Sequence, residues 1–118
     1  MTKDELKDRT KEFGKRIIKM VNALPNNKAA SVISYQIIRS ATSVGANYRA
    51  ACRSRSTAEF ISKINVVMEE ADETLYWLEL LVETELMKKK LLEDLLVEAN
   101  ELTAIFASTL KTIRKNKS

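Results

Sequence analysis

Glu69, Glu70, Asp72 and Glu73 form the densest group of carboxylates in the chain, and carboxylates at such spacing suggest a metal site or acid–base chemistry. A helical bundle that holds two metal ions on carboxylates uses Glu-x-x-His pairs pointing inward, and this chain has no His. Carboxylate-only sites suit Mg or Ca and usually sit in loops, whereas these four residues fall largely off the apolar face of a helix. They read as an acidic patch facing solvent or an interface, with no metal and no cofactor. The missing His also removes the usual general base, so Ser40, Thr42, Ser43 and Ser54 have no His to activate them. Cys52 lies beside Arg53 and near Arg49 and Arg55, cations that favour a thiolate. The plainer reading of Cys52 is a small, half-buried side chain near a helix end. Gly14 and Gly45 stand alone, so there is no glycine-rich phosphate loop. The expectation is a protein that is not an enzyme.

The cations carry a stronger pattern. Residues 13–58 contain eight Lys or Arg and no acidic residue: Lys15, Arg16, Lys19, Lys28, Arg39, Arg49, Arg53 and Arg55. Residues 59–87 then contain eight acidic residues and one Lys. Arrays of Lys and Arg bind phosphate backbones by releasing counterions, and Arg adds bidentate geometry. Ser40, Ser43, Asn47, Ser54 and Ser56 interleave with the arginines and supply further donors to phosphate or sugar. Tyr35 and Tyr76 are the best placed aromatics for base stacking, so binding would rest on backbone contacts with weak sequence readout. The competing reading docks the same cations on acidic residues of the third helix, in the same or a neighbouring chain. Arg39, Arg49 and Arg53 would then meet Glu69, Glu70 and Glu73 and set register and partner choice.

Helices must position both sets. Leu6, Phe13, Ile17, Met20 and Leu24 make a first helical seam, with Thr2 and Glu5 as a capping box and Pro25 as its stop. Ile33, Ile37, Ala41, Val44, Tyr48 and Ala51 make a second, with Lys28, Arg39, Arg49 and Arg53 in a row on its far side. Ser56 and Glu59 form another capping box before a third stretch, which presents Phe60, Ile64, Val67, Ala71, Leu75, Leu78 and Val82 on one face. Val66, Trp77, Leu80 and Leu81 fall outside that face, more apolar surface than one neighbouring layer covers. Leu92, Leu95, Ala99, Leu102, Phe106, Thr109 and Ile113 make the fourth, which ends in cations suited to a helix C-terminus. The expected helices span about residues 3–24, 27–53, 57–86 and 89–115, and short connections favour antiparallel neighbours in an all-α, up-down-up-down four-helix bundle.

The chain of 118 residues is sized for one domain with one core, and two Gly and one Pro suit long helices with few loops. One Cys cannot pair within the chain, and the charged start lacks the apolar core of a secretory signal; the expectation is a reduced, cytoplasmic protein. No apolar run approaches a membrane span. Attachment to a membrane surface is the weaker alternative, because the apolar stripes are needed for the bundle.

Two segments, QIIRSATSVGANYRAACRSRSTAEF and EEADETLYWLELL, resemble the four-helix bundle proteins of the 23S rRNA intervening-sequence family. The matching positions are Arg39, Ser40, Ser43, Val44, Asn47, Arg53, Glu59, Phe60, Glu70, Glu73 and Trp77. The resemblance implies a left-handed up-down-up-down bundle that assembles as a ring-shaped homo-oligomer, typically a pentamer. Relatives include the accessory protein of diversity-generating retroelements, whose basic surface is tied to nucleic-acid and reverse-transcriptase binding. Many relatives carry Glu in the stretch where this chain reads Tyr48-Arg49-Ala50-Ala51, so its basic cluster lacks that acidic neighbour.

Two functions follow as expectations. In the first, Lys15, Arg16, Lys19, Arg39, Arg49, Arg53 and Arg55 bind RNA or DNA. In the second, the protein is an adaptor that self-assembles and presents a surface to a protein partner. Its arginines are then consumed between subunits, with Glu70, Glu73, Trp77, Leu80 and Leu81 at the oligomer interface.

Overall fold

A computed structural model describes residues 1–117 and shows four α-helices: α1 Lys3–Val21, α2 Lys28–Cys52, α3 Thr57–Glu83 and α4 Lys89–Lys117. Among the described residues there is no strand. Each helix packs on its chain neighbour, and α4 also meets α1 along a sparser seam. The molecule measures 49 × 21 × 20 Å, the shape of a few long helices lying side by side.

Local chemistry sets each start. The Glu5 N–H donates to Thr2 Oγ1 at 3.1 Å, the Ala30 N–H to Asn27 Oδ1 at 2.8 Å and the Glu59 N–H to Ser56 Oγ at 3.1 Å. Each satisfies a donor that the helix itself leaves unpaired. At the first cap the Thr2 hydroxyl also donates to Glu5 Oε1 at 3.1 Å, so the Glu5 carboxylate binds the Thr2 side chain.

The first three helices end earlier than periodicity suggests, whereas α4 runs to Lys117, past the expected 115. α1 stops at Val21, three residues short of the expected 24, because Pro25 disfavours the α conformation at Leu24. Ala23 and Leu24 instead donate to Met20 and Val21, the tighter spacing common at helix ends. α3 stops at Glu83 where residue 86 was expected. Glu85 there adopts a left-handed conformation with φ 59°, the Leu86 N–H reaches Leu81 O and the Glu85 N–H reaches Val82 O. This reversal usually carries glycine.

Leu6, Phe13 and Ile17 of α1 pack with Ile37, Val44 and Tyr48 of α2, Ile64, Val67 and Leu78 of α3, and Leu92, Leu102 and Phe106 of α4. Tyr48 and Phe106 place their ring centroids 5.5 Å apart across the core. The seven-residue gap between Leu6 and Phe13 is filled by Thr10, fully buried, with its hydroxyl near Leu6 O (2.9 Å) and Lys7 O (3.1 Å).

The apolar face of α3 differs from the expected one. The buried row is Ile64, Val67, Ala71, Thr74, Leu78 and Leu81, while Phe60, Leu75 and Val82 are half-buried. The row steps by threes and fours on a heptad-like repeat, which holds one seam inward where a straight 3.6-residue helix drifts away. Leu81, expected outside the core and at an oligomer interface, is therefore a core residue with no exposed surface. Trp77 and Leu80 are half-buried and pack on the core from its edge.

Candidate nucleic-acid interface

The cations of α2 project from its outer side because Ile33, Ile37, Ala41, Val44, Tyr48 and Ala51 hold the opposite side in the core. At 100° per residue Lys28, Arg39, Arg49 and Arg53 spread over about 80° of arc. That spread decides their fates. Arg39 sits on the edge next to α3, where its Nη2 donates to Glu73 Oε2 at 2.6 Å and its Nη1 lies 3.6 Å from Glu70 Oε2. Trp77 Nε1 donates to the same Glu73 oxygen at 3.3 Å. Beneath this group Thr74 Oγ1 lies 2.8 Å from Ser40 Oγ and 2.8 Å from the Glu70 carbonyl oxygen, both hydroxyls being fully buried. Glu70 Oε2 is itself buried and makes no hydrogen bond, so the charge of Arg39 is its principal compensation.

The expected complementarity between Arg39, Arg49, Arg53 and Glu69, Glu70, Glu73 thus forms within one chain for Arg39, Glu70 and Glu73. Arg49 and Arg53 are exposed, as is Arg55 in the link to α3. Among the described residues, none of these three has a carboxylate within ion-pairing distance. Arg49 lines a groove of about 710 Å³ between α1 and α2, together with Lys7, Lys11, Lys15, the carboxylates Asp4 and Asp8, and the small residues Gly14, Gly45 and Ala46. Lys15 reaches Glu12 one turn earlier at 3.2 Å, and Lys19 is exposed. Arg16 is half-buried and its charge acts on Glu98 of α4, so it belongs to another face. The seven cations read from the sequence accordingly do not form one surface: Arg39 pairs with α3, Arg49 and Lys15 line the α1–α2 groove, Arg16 acts on α4, and Arg53 and Arg55 follow the end of α2.

Tyr35 stands on the same outer side of α2 and is 69% exposed; Tyr76 is 56% exposed and meets Trp77 edge-on at 5.0 Å. Around Tyr76 the outer side of α3 carries Glu69, Asp72, Glu79 and Glu83, all exposed. Among the described residues no group of three or more His, Cys, Asp or Glu is arranged to hold a metal ion.

An ion-pair site that sequence reading missed joins α1 to α4. Arg9 donates through Nε to Glu98 Oε2 at 2.8 Å and through Nη2 to Glu98 Oε1 at 2.6 Å, and reaches Glu101 at 2.8 Å. These hydrogen bonds hold Glu98 below the usual carboxylate range and raise Arg9 further, with partial burial opposing both shifts. Burial, helped by a hydrogen bond with Cys52, pushes the Tyr48 phenol well above its ordinary value, so it stays neutral.

A four-helix all-α protein with an uncompensated basic rim on α2 and an acidic outer α3 is the class these features define. Residues 3–108 match the family described as 23S rRNA-intervening sequence protein, and the chain belongs to that family. It is similar to a protein of unknown function from the S23 ribosomal protein family of Bacteroides thetaiotaomicron VPI-5482, known from a 1.70 Å crystal structure. The two are 40% identical over 94% of this chain and 99% of that one, with a TM-score of 0.86. No curated protein matches the chain. Among the described residues no helix is long and apolar enough to cross a membrane.

Proposed function

We propose that this protein is a non-enzymatic helical bundle that binds the phosphate backbone of RNA or DNA through Arg49, Arg53 and Arg55. The observation that carries this reading is a contrast among the arginines of α2 and the link that follows it: Arg39 is compensated by its own α3, while Arg49, Arg53 and Arg55 have no carboxylate in ion-pairing range. Exposed Tyr35 on the same side supplies a stacking surface that favours single strands. Titration of labelled RNA at several salt concentrations tests it. The log–log slope should fall by about 0.7 to 0.9 for each phosphate neutralised, and a slope near zero would refute the reading.

The helices run up-down-up-down in this reading. Gly45 lies against Thr10 whereas Gly14 lies against Ala41 and Thr42, so a step forward along α1 is a step back along α2. Lys3 at the start of α1 lies 5.7 Å from the ring centroid of Phe60 at the start of α3, which supports both starts lying at one end.

A second reading, assembly into a ring-shaped homo-oligomer that presents a surface to a protein partner, is favoured by the outer side of α3. Exposed Val66 and Tyr76 lie there among carboxylates, a surface complementary to the basic rim of a second copy. A reverse transcriptase is the kind of partner the family resemblance suggests, and one reduced Cys accords with a cytoplasmic setting. Light scattering on an Arg49→Ala/Arg53→Ala variant separates the readings. Dissociation supports assembly through the arginines, and an intact oligomer that has lost RNA supports the first.

A further inference from the structure

The groove of about 710 Å³ between α1 and α2 has cations along it and small residues between its two helices. Lys11 and Arg49 have no carboxylate in ion-pairing range among the described residues. Lys7 reaches Asp4 at 3.0 Å and Lys15 reaches Glu12 at 3.2 Å, contacts within one helix that contribute little and leave both lysines available. Ile18 lines the groove at its other end and is 44% exposed. Asp4 and Asp8 oppose a polyanion laid along the whole length, so the occupant must be acidic over only part of it.

The outer side of α3 has that pattern. Glu69, Asp72, Glu79 and Glu83 are exposed there around Tyr76, and among the described residues none has a cation in ion-pairing range. Glu69 with Asp72 and Glu79 with Glu83 are like-charge neighbours one turn apart, which destabilise a helix unless a cation meets them. One turn earlier, Ser62 and Asn65 carry no charge.

We infer that the α1–α2 groove receives the outer side of α3 from a second copy of this chain. The inference rests on the second reading, assembly, and names the two surfaces that meet. Asp4, Lys7, Lys11, Gly14 and Ile18 follow one another at steps of three and four, and Ser62, Asn65, Glu69, Asp72 and Tyr76 repeat those steps. Each set rises about 21 Å along its helix. With α1 and the second copy's α3 parallel, uncharged Ser62 and Asn65 meet the end that holds Asp4 and Asp8. Glu69 then comes beside Lys11, Asp72 beside Gly14 and Lys15, and Tyr76 over Ile18. The contact joins two different surfaces, so each copy keeps one of each for further copies. In an assembled copy Arg49 belongs to this contact, whereas Arg53 and Arg55 do not line the groove and stay open to a phosphate backbone.

Light scattering and sedimentation of the full chain over a concentration series test it. Lys11→Glu/Lys15→Glu reverses the groove, and Glu69→Lys/Asp72→Lys reverses the helix face. All four positions are exposed, so circular dichroism should show an unchanged fold. Each pair of reversals should raise the dissociation constant of the assembly at least about a hundredfold, because like charges then face each other. A chain carrying all four restores opposite charges and should assemble within about tenfold of the parent. Tyr76→Ala, which alters no charge, should weaken assembly about tenfold. Assembly that survives both pairs of reversals, or that is lost with each and not regained with all four, overturns the match of these surfaces and leaves the second reading standing. A parent that stays monomeric at low salt removes both. A monomeric parent whose RNA affinity falls with Lys11→Glu/Lys15→Glu gives the groove to nucleic acid and overturns the inference while keeping the first reading.

Discussion

The two flanks of α2 treat the same residue type in opposite ways. On the α3 side Arg39 is held by Glu73 and Glu70, over a buried Ser40–Thr74 contact and beside Trp77. On the α1 side glycine lets the helices approach so closely that a Cβ on Gly45 would lie 3.3 Å from the Thr10 backbone, and Arg49 projects beside that seam with no carboxylate in ion-pairing range, although Asp4 and Asp8 line the same groove. An arginine whose guanidinium already has its anion contributes little to binding another, since a phosphate must first displace the carboxylate. Partnering within the chain, more than charge counted along the sequence, sorts the basic residues of α2 into structural and available ones.

The largest expected effect separates the flanks directly. Replacing Arg49, Arg53 and Arg55 together by Ala should lower RNA affinity about a hundredfold near 0.1 M salt and reduce the salt slope by about two to three, at unchanged thermal stability. Arg39→Ala should change the slope by less than one. Fluorescence anisotropy over a salt series measures both, and equal losses from the two variants would erase the distinction.

Next in size is a break in the α1 flank itself. Gly45→Ala should destabilise the protein by about 1–3 kcal/mol, because the added methyl meets backbone atoms of another helix rather than a movable side chain. Denaturant unfolding checks this, and an unchanged midpoint would mean the seam yields.

The two cross-helix ion pairs come third. Glu98 takes a bidentate arginine and is 13% exposed, whereas Arg39 is 46% exposed. Glu98→Gln should therefore cost about 1–2 kcal/mol near neutral pH, and Arg39→Ala about 1 kcal/mol. The pH dependence has a definite sign. Glu98 titrates below its ordinary value of 4.5 when folded, so its contribution is present above that pH and lost as pH falls through the folded value. Thermal melts from pH 7 to pH 3 should show a smaller acid loss for Glu98→Gln than for the parent.

The helices could be read from the sequence because apolar three-four spacing runs through each and Thr2 and Ser56 cap two of the starts, and such local signals suffice. What escaped was set by contacts between helices. Thr74 hid a core position behind a polar side chain, which displaced the expected α3 face and put Leu81 outside it. Glu85 ends α3 in a left-handed conformation that sequence patterns assign to glycine. Arg9 and Glu98 lie 89 residues apart, and no periodicity announces a pair whose register depends on how α1 meets α4. The arginines themselves were legible as an acid-free run. Which of them is compensated depends on about 80° of helix arc and on a neighbour contributed by another helix.

The smallest effect tests whether the α1 flank is tight along its length or only at Gly45. Gly14 is also buried in that seam, yet a Cβ there would sit 3.7 Å from Ala41 O and from Thr42, ordinary contact distance. Glycine in a helix interior is less favourable than alanine by about 0.8–1.0 kcal/mol, so Gly14→Ala should stabilise the protein by somewhat under about 1 kcal/mol. The two glycines, one helix apart in the same seam, should then respond with opposite signs to the same added methyl. If Gly14→Ala destabilises as Gly45→Ala does, the helices have no slack anywhere along the seam. The groove that carries Arg49 would then be a rigid platform. If Gly14→Ala stabilises, the close approach is confined to the Thr10–Gly45 crossing, and the seam has room for a methyl on the far side of it.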